Sequence, residues 1–189
     1  MLTADHCGGG VGVNYFAGGA GVMGQGFVVN QDVDSVGIRT NSAPRIYDGG
    51  IDDPSQFSKP VVGIGNNVPG AFTCTSGNAT GVHCGIRVRS TGNALDMGDH
   101  WAHDVVFADQ VDGVLAAGDG DSGGPVYALA DDPSKVVGMG VILGGAKQAD
   151  FPATCPPPPA SSKLRSTRLL YIDLFQILVK QGLYLLITS

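Results

Sequence analysis

One glycine-rich stretch of the sequence surrounds a serine that has no bulky neighbour, Gly118-Asp119-Gly120-Asp121-Ser122-Gly123-Gly124-Pro125. Because glycine readily adopts positive φ angles, such a segment can turn tightly enough to aim two backbone N–H groups at one point. Beside a nucleophilic hydroxyl, these two donors would stabilise the oxyanion of a tetrahedral acyl-transfer intermediate. The common alternative is a glycine-rich turn with a solvated serine, so this interpretation requires a base and an acid elsewhere in the chain.

A histidine and an aspartate with suitable chemistry precede this serine. His6 lies in the segment Leu2–Cys7, and Asp34 begins the short apolar segment that ends at Ile38. A serine hydroxyl becomes a good nucleophile when a base takes its proton, and an acid fixes the tautomer of that base. All four histidines of the chain precede Ser122. This order excludes an α/β-hydrolase, in which the histidine follows the serine.

The three segments resemble the signature blocks of the chymotrypsin family of serine proteases, and the short spacing from His6 to Asp34 resembles its secreted bacterial branch, the streptogrisins. The resemblance covers most of the chain. It implies that His6 is the general base, Asp34 its orienting acid and Ser122 the nucleophile. The N–H groups of Gly120 and Ser122 would then form the oxyanion hole. The three segments that carry the resemblance to the family are Leu2–Cys7, Asp34–Ile38 and Gly120–Pro125.

The choice of the acid rests on this resemblance. Asp32 lies two residues before Asp34 and could point the same way on a strand. Asp34 is preferred because the order Asp-Ser-Val-Gly-Ile resembles the family's aspartate block. An ordinary turn aspartate remains the alternative at either position.

The composition favours an all-β protein. The 189 residues include 30 glycines and 11 prolines, which suits short strands joined by many turns. The resemblance implies two antiparallel six-stranded Greek-key β-barrels, the first one incomplete, and a short C-terminal helix. We expect residues 1–66 to form the partial first barrel, which carries His6 and Asp34. Residues 67–189 would form the second barrel, which carries Ser122, the substrate-binding edge and the helix, within a single peptidase domain.

Charge and hydropathy exclude two kinds of partner. The formal net charge is −6 and no run of basic residues is present, which argues against nucleic acid and anionic membrane surfaces. The apolar stretch from Leu169 to Ile187 is nearly long enough to span a bilayer, but four polar residues interrupt it. We therefore expect polypeptide substrates and a monomer that binds neither membrane nor nucleic acid.

Two of the four cysteines enclose a short loop. Cys74 and Cys84 flank nine residues that are rich in Gly, Ser, Thr and Asn, which predicts a disulfide-closed hairpin and a secreted protein. A zinc site is the alternative because His83 adjoins Cys84, but the spacing matches no common ligand pattern. We expect neither a metal nor a cofactor. The pairing of Cys7 and Cys155 stays open, since the family's cysteine beside the histidine pairs with one upstream.

The resemblance also places the substrate-binding residues. The floor of the primary pocket would lie at Ala116, six residues before the serine, where trypsin-like members carry an aspartate. An apolar P1 residue is therefore expected. The backbone edge that pairs with substrate would lie at Gly144 and Gly145, preceded by Leu143 where the family usually has a serine. The proline run at 156–159 departs from the family and has no assigned role.

The expected activity is that of a serine endopeptidase that works through an acyl-enzyme. One alternative is a catalytically impaired relative that only binds peptides or proteins. A second is an esterase on another fold, which the order of the three residues disfavours. A third places Asp34, His103 and Ser122 in the subtilisin order, but the alternating helix and strand pattern of that fold is absent.

The position of His6 leads to a further expectation. Family members have on the order of 30 residues of opening strands before this histidine, whereas here it is the sixth residue and no signal peptide precedes it. The first barrel is therefore expected to lack strands. Activity of the chain as given is expected to be low, because a placement error of about 1 Å can cost roughly a hundredfold in rate. A complete chain with a rearranged tail is the alternative.

Overall fold

The computed structural model describes residues 1–16, 21–51, 55, 57–145 and 165–188. One α-helix occurs among them, α1 (Leu174–Gln181). The strands of the first half are β1 (Leu2–Ala4), β2 (Asn14–Phe16), β3 (Val22–Asn30), β4 (Ser35–Arg39), β5 (Arg45–Tyr47), β6 (Ser58–Ile64) and β7 (Phe72–Gly77). Those of the second half are β8 (Gly81–Asp96), β9 (Trp101–Gln110), β10 (Ala117–Gly118), β11 (Pro125–Leu129), β12 (Val136–Gly145), β13 (Arg165–Ser166) and β14 (Arg168–Asp173).

Six strands close into an antiparallel barrel. The sheet runs β11-β7-β8-β9-β14-β12, and β11 also pairs with β12, which closes the cylinder. Alternate side chains of these strands point inward, as the pleat requires. They form a buried core that includes Ile86, Val106, Val126, Ile142 and Tyr171. The pairing of β11 with β12 joins the two ends of this six-stranded sheet over Pro125–Leu129 and Val136–Val141.

A smaller antiparallel sheet carries the first part of the chain. Its order is β1-β4-β3-β2, which amounts to a half-barrel. The predicted all-β fold, with one complete and one incomplete barrel and a C-terminal helix, is confirmed. β5 pairs with β6, and β6 runs parallel to β12, so both strands extend the sheet of the closed barrel. The proposed division of the chain after residue 66 stays a prediction.

The C-terminal helix follows directly from β14. Asp173 caps it by accepting hydrogen bonds from the N–H groups of Phe175 (2.8 Å) and Gln176 (3.3 Å). It ends at Gly182, whose φ of 65° lies in the left-handed region that favours glycine. Leu174, Ile177 and Leu178 form its buried face, at the i, i+3, i+4 spacing of one side of a helix. No helix in the described ranges is long and apolar enough to cross a membrane.

The hairpin of β7 and β8 contains a disulfide between Cys74 and Cys84. This sulfur pair therefore provides no thiolate for a zinc ion, and the Nε2 atom of His83 lies 2.9 Å from the carbonyl oxygen of Thr80. None of the described cysteines, Cys7 included, is a free thiol. Cys155 and the proline run at 156–159 lie outside the described residues.

Candidate active site

The structure places Asp34 in an unusual backbone conformation. It follows the short 3-10 helix Gln31–Val33 and has a φ of 37°. A non-glycine residue in the left-handed region costs on the order of 1 kcal/mol, so surrounding contacts must hold it there. One of them is the side chain of Asn30, which accepts a hydrogen bond from the N–H of Asp32 at 3.0 Å. The carboxylate of Asp34 is turned inward, and the residue is only 1% exposed.

His6 contacts both oxygens of this carboxylate. β1 pairs with β4 so that Ala4 lies opposite Ser35, which brings the short 3-10 helix Asp5–Cys7 beside Asp34. The backbone N–H of His6 donates to Asp34 Oδ1 at 2.8 Å, and its Nδ1 lies 2.5 Å from Oδ2. This contact assigns the ring proton to Nδ1. The opposite nitrogen, Nε2, is buried and has no hydrogen-bond partner among the described residues.

Ser122 lies in the tight loop between β10 and β11. Gly123 has a φ of 82°, and any side chain at this position would collide with Thr3 of β1. The loop therefore packs against the strand that leads to His6. The Ser122 hydroxyl, however, donates to the carbonyl oxygen of Leu143 at 3.2 Å. The structure thus joins His6 to Asp34 by hydrogen bonds and places Ser122 on the adjoining loop, with its hydroxyl directed to β12.

Two backbone donors flank this hydroxyl. Gly120 has a φ of 94°, as a tight turn before the serine requires. Within the described part of the chain, neither the N–H of Gly120 nor that of Ser122 donates to another protein group. Donors that the fold leaves available are what an oxyanion hole needs.

The serine loop is fastened by Asp121, a buried carboxylate that is 1% exposed. Its Oδ1 accepts from the N–H groups of Ala79 (2.8 Å) and Thr80 (3.0 Å). Its Oδ2 accepts from the Thr80 hydroxyl (2.6 Å) and the Gly118 N–H (2.8 Å). Asp121 thereby ties the loop of Ser122 to the disulfide-closed hairpin. The role of Asp121 is not predicted from the sequence, because its partners lie about forty positions away. Its place directly before Ser122 was the one indication that this aspartate could matter to the serine loop.

Substitution of Asp121 by asparagine should destabilise the fold by about 2 kcal/mol. The amide group would replace one acceptor oxygen with a donor, and it would face N–H or O–H groups that are already buried. Urea denaturation of the Asp121→Asn variant measures the loss. Asp131→Asn, at an exposed turn position, is the matched control. Equal unfolding midpoints for the two variants would show that the four hydrogen bonds do not hold the loop.

The predicted substrate-binding residues lie on two elements. Ala116 is fully buried and packs in the barrel core, and its carbonyl oxygen accepts from the Thr75 hydroxyl at 2.9 Å. Gly144 and Gly145 lie opposite Leu170 and Leu169 of β14. The ladder of β12 with β11 ends at Val141, and Ile142 then exchanges backbone hydrogen bonds with Gly123 and Gly124 of the serine loop. None of the described strands pairs with β12 on that side beyond this point. An extended peptide could be added along this edge.

Asp32 points away from His6. Its carboxylate instead contacts His103 Nδ1 at 2.5 Å and the ammonium group of Lys180. The hydrogen bond from Lys180 is the main cause that lowers the pKa of the Asp32 carboxyl. Beside the histidine, Asp5 is buried, and this burial, followed by the charge of Asp34, raises the pKa of Asp5. In the described residues no group of three or more His, Cys, Asp or Glu could hold a metal ion.

A cavity of about 800 Å³ borders the serine loop on the side of the half-barrel. Apolar residues such as Phe27, Ile46 and Leu185 line it, and Ser122 and Gly123 lie on its wall. The cavity therefore lies between the half-barrel, β5 and the segment that follows α1.

The closed barrel, the half-barrel and the C-terminal helix define a protein of the chymotrypsin fold, with a buried histidine–aspartate pair beside the serine loop. Similar solved structures are bacterial chymotrypsin-like serine proteases. The Cellulomonas bogoriensis chymotrypsin is 19% identical at a TM-score of 0.68, over 99% of this chain and 85% of that one. Protease A of Thermobifida fusca is 19% identical at 0.65, over 99% and 84%.

A third similar structure is a serine protease specific for glutamic acid, 21% identical at a TM-score of 0.67, over 97% of this chain and 85% of that one. At these identities the likeness establishes the shared fold. Comparison of the sequence with protein-family models and with curated proteins gives no match.

Proposed function

We propose that this chain is a serine endopeptidase that hydrolyses peptide bonds with Ser122 as nucleophile, His6 as general base and Asp34 as its orienting acid. The observation that carries the proposal is the 2.5 Å contact of His6 Nδ1 with Asp34 Oδ2. It leaves Nε2 as the basic atom of a ring whose side chain is only 9% exposed. A buried histidine held in this tautomer is suited to accept a proton from a serine hydroxyl.

The proposed reaction is a balanced acyl transfer. Ser122 Oγ attacks the scissile carbonyl carbon, and its proton passes to His6 Nε2. The N–H groups of Gly120 and Ser122 stabilise the oxyanion, while Asp34 stabilises the imidazolium ion. His6 then returns the proton to the leaving amine, and an acyl-enzyme ester remains. Water then attacks the carbonyl carbon of this ester while His6 Nε2 takes its proton. His6 returns the proton to Ser122 Oγ, and the carboxylic acid product leaves.

The hydroxyl of Ser122 must rotate before it can attack, because it donates to Leu143 in this structure. Rotation about the Cα–Cβ bond moves a serine hydroxyl between staggered positions at little cost. Catalytic hydrogen bonds are often absent in a protein without substrate and form in the complex. We propose that a peptide added along Leu143, Gly144 and Gly145 favours this rotation.

The same hydrogen bond supports a second candidate function. A serine held by the Leu143 carbonyl, away from His6, is what a catalytically impaired homologue would have. Such a protein would still bind extended peptides by strand addition along Leu143, Gly144 and Gly145, the part of β12 that follows its pairing with β11. The disulfide between Cys74 and Cys84 supports an extracellular location for either function.

We expect the endopeptidase to cleave after Phe or Leu roughly a hundredfold faster than after Arg, because a buried cation without a carboxylate partner is costly. The test is kcat/KM for internally quenched peptides that differ only at P1, with Phe, Leu, Arg or Glu there. Glu is included because one similar structure is a glutamic acid-specific protease. Faster cleavage after Arg or Glu would contradict the apolar preference, and no cleavage of any peptide would favour the binding function.

A further inference from the structure

The last turn of α1 contacts the turn that carries Asp34. The ammonium group of Lys180 contacts Asp32 and lies 2.6 Å from Asp104 Oδ2. The side-chain amide of Gln181 donates to the backbone oxygen of Ser35 at 2.8 Å and to its hydroxyl at 2.7 Å. Residues on both sides of Asp34 are therefore held by one helix.

A third contact joins the same two elements. Asn30, whose side chain caps the 3-10 helix before Asp34, donates through Nδ2 to the carbonyl oxygen of Lys180 at 3.3 Å. His103 of β9 contacts Asp32 on the other side, at 2.5 Å. Asp32 thus accepts from two basic side chains, one on α1 and one on the closed barrel, and the turn is fixed from two directions.

Backbone strain is concentrated in this network. Among the described residues, two that are not glycine have a positive φ, Asp34 at 37° and Asp104 at 56°. One is the proposed catalytic acid and the other is a partner of Lys180. Such conformations persist only where the surroundings over-determine them, and they cluster at functional sites. From α1, Gln181 bonds to Ser35, directly after Asp34, and Lys180 contacts Asp104 itself.

The helix is itself anchored at its other end. Asp173 caps its first turn through Oδ1, and its Oδ2 accepts from Asn67 Nδ2 at 2.8 Å. The hydroxyl of Tyr171 donates to Asn67 Oδ1 at 2.5 Å inside the barrel. Hydrogen bonds at both ends of this helix therefore connect the closed barrel to the half-barrel that holds His6.

Electrostatics keeps the ion pairs of this network formed near neutral pH. Burial lowers the pKa of Lys180, but hydrogen bonds to Asp104 and Asp32 outweigh it and leave that pKa raised. The side chains of Lys180 and Asp32 are 29% and 45% exposed. Pairs this exposed add little to stability, so their effect is on geometry.

We propose that Lys180 and Gln181 are positioning residues, which hold the turn of Asp34 in its left-handed conformation and so keep its carboxylate on His6. The inference rests on the proposed function for its effect on rate. Displacement of a catalytic group by about 1 Å can cost roughly a hundredfold, and release of this turn would shift the carboxylate by such an amount.

The test uses a double variant, Lys180→Met with Gln181→Met, which keeps the side-chain volumes and removes the donors. We expect kcat to fall about 10- to 100-fold while KM is unchanged. The proton between His6 Nδ1 and Asp34 should give a far-downfield NMR resonance, as short charge-assisted hydrogen bonds do. That resonance should be lost or broadened in the double variant, and Lys180→Arg with native Gln181 should retain both properties.

The matched control is Lys135→Met, which removes the same charge from an exposed pair with Asp132. A double variant that keeps the resonance and loses no more activity than this control would overturn the proposal. So would a loss of thermal stability with the resonance intact, or the absence of the resonance from the unmodified chain. A resonance that depends on Lys180 and Gln181 in a chain that cleaves no peptide would support the positioning role and reject the peptidase function.

Discussion

Replacement of Ser122 by alanine should lower kcat for peptide cleavage by as much as about a millionfold, with little change in KM. The hydroxyl is the nucleophile of the proposed mechanism, so its removal leaves the reaction without the group that forms the acyl-enzyme. The fold should survive, because the hydrogen bond to the carbonyl oxygen of Leu143 is the one that this hydroxyl makes within the described part of the chain. Single-turnover cleavage of a Phe-P1 peptide at high enzyme concentration measures the residual rate.

Ser134→Ala is the matched control for this experiment. Ser134 is exposed in the turn between β11 and β12, and its hydroxyl bonds to Asp132 at 2.7 Å. The control should cleave at the rate of the unmodified chain. A residual rate within tenfold of that chain in Ser122→Ala would assign the chemistry to another group.

Substitution of Asp34 by asparagine should lower kcat about 10⁴-fold. The amide has nearly the same size, so the backbone hydrogen bond from His6 to Oδ1 can persist. An amide N–H₂ group at the position of Oδ2 would donate to Nδ1 and so move the ring proton to Nε2. Nε2 could then no longer accept a proton from Ser122. Steady-state kinetics on a Phe-P1 peptide, with circular dichroism to verify the fold, measures this effect.

Asp32→Asn is the control for Asp34→Asn. Its carboxylate is exposed and bonded to His103 and Lys180. Asp32→Asn should therefore reduce kcat by about a hundredfold or less, compared with about 10⁴-fold for Asp34→Asn. The partial effect comes through the positioning network at the end of α1. Losses of equal size at the two aspartates would show that the acid has been misassigned.

The sequence predicts the all-β fold from its composition and short apolar runs, whereas the proximity of the histidine to an aspartate is what the resemblance of their segments to the family's blocks implies. Glycine, proline and short apolar runs determine turns and strands locally, and the pairing of β1 with β4 brings His6 to Asp34. The choice between Asp32 and Asp34 has a different basis. Strand alternation would point both side chains the same way, whereas a 3-10 helix and a left-handed residue separate them here.

Long-range contacts account for what the sequence does not predict. Asp121 is held by Ala79 and Thr80 across forty positions, and Lys180 contacts Asp32 across 148. Neither spacing follows a helical or strand period, so no local pattern could indicate the contact. The bond of Ser122 to Leu143 likewise depends on how the serine loop packs on β12.

Covalent labelling with a fluorophosphonate tests the central claim most directly, because this reagent reacts with a serine only when a base and an oxyanion hole activate it. We expect one adduct per folded chain by intact mass, located on Ser122 by peptide mapping. We also expect no adduct in His6→Ala and unchanged labelling in Ser134→Ala. A folded chain that stays unlabelled, or that is labelled at a serine other than Ser122, would contradict this claim.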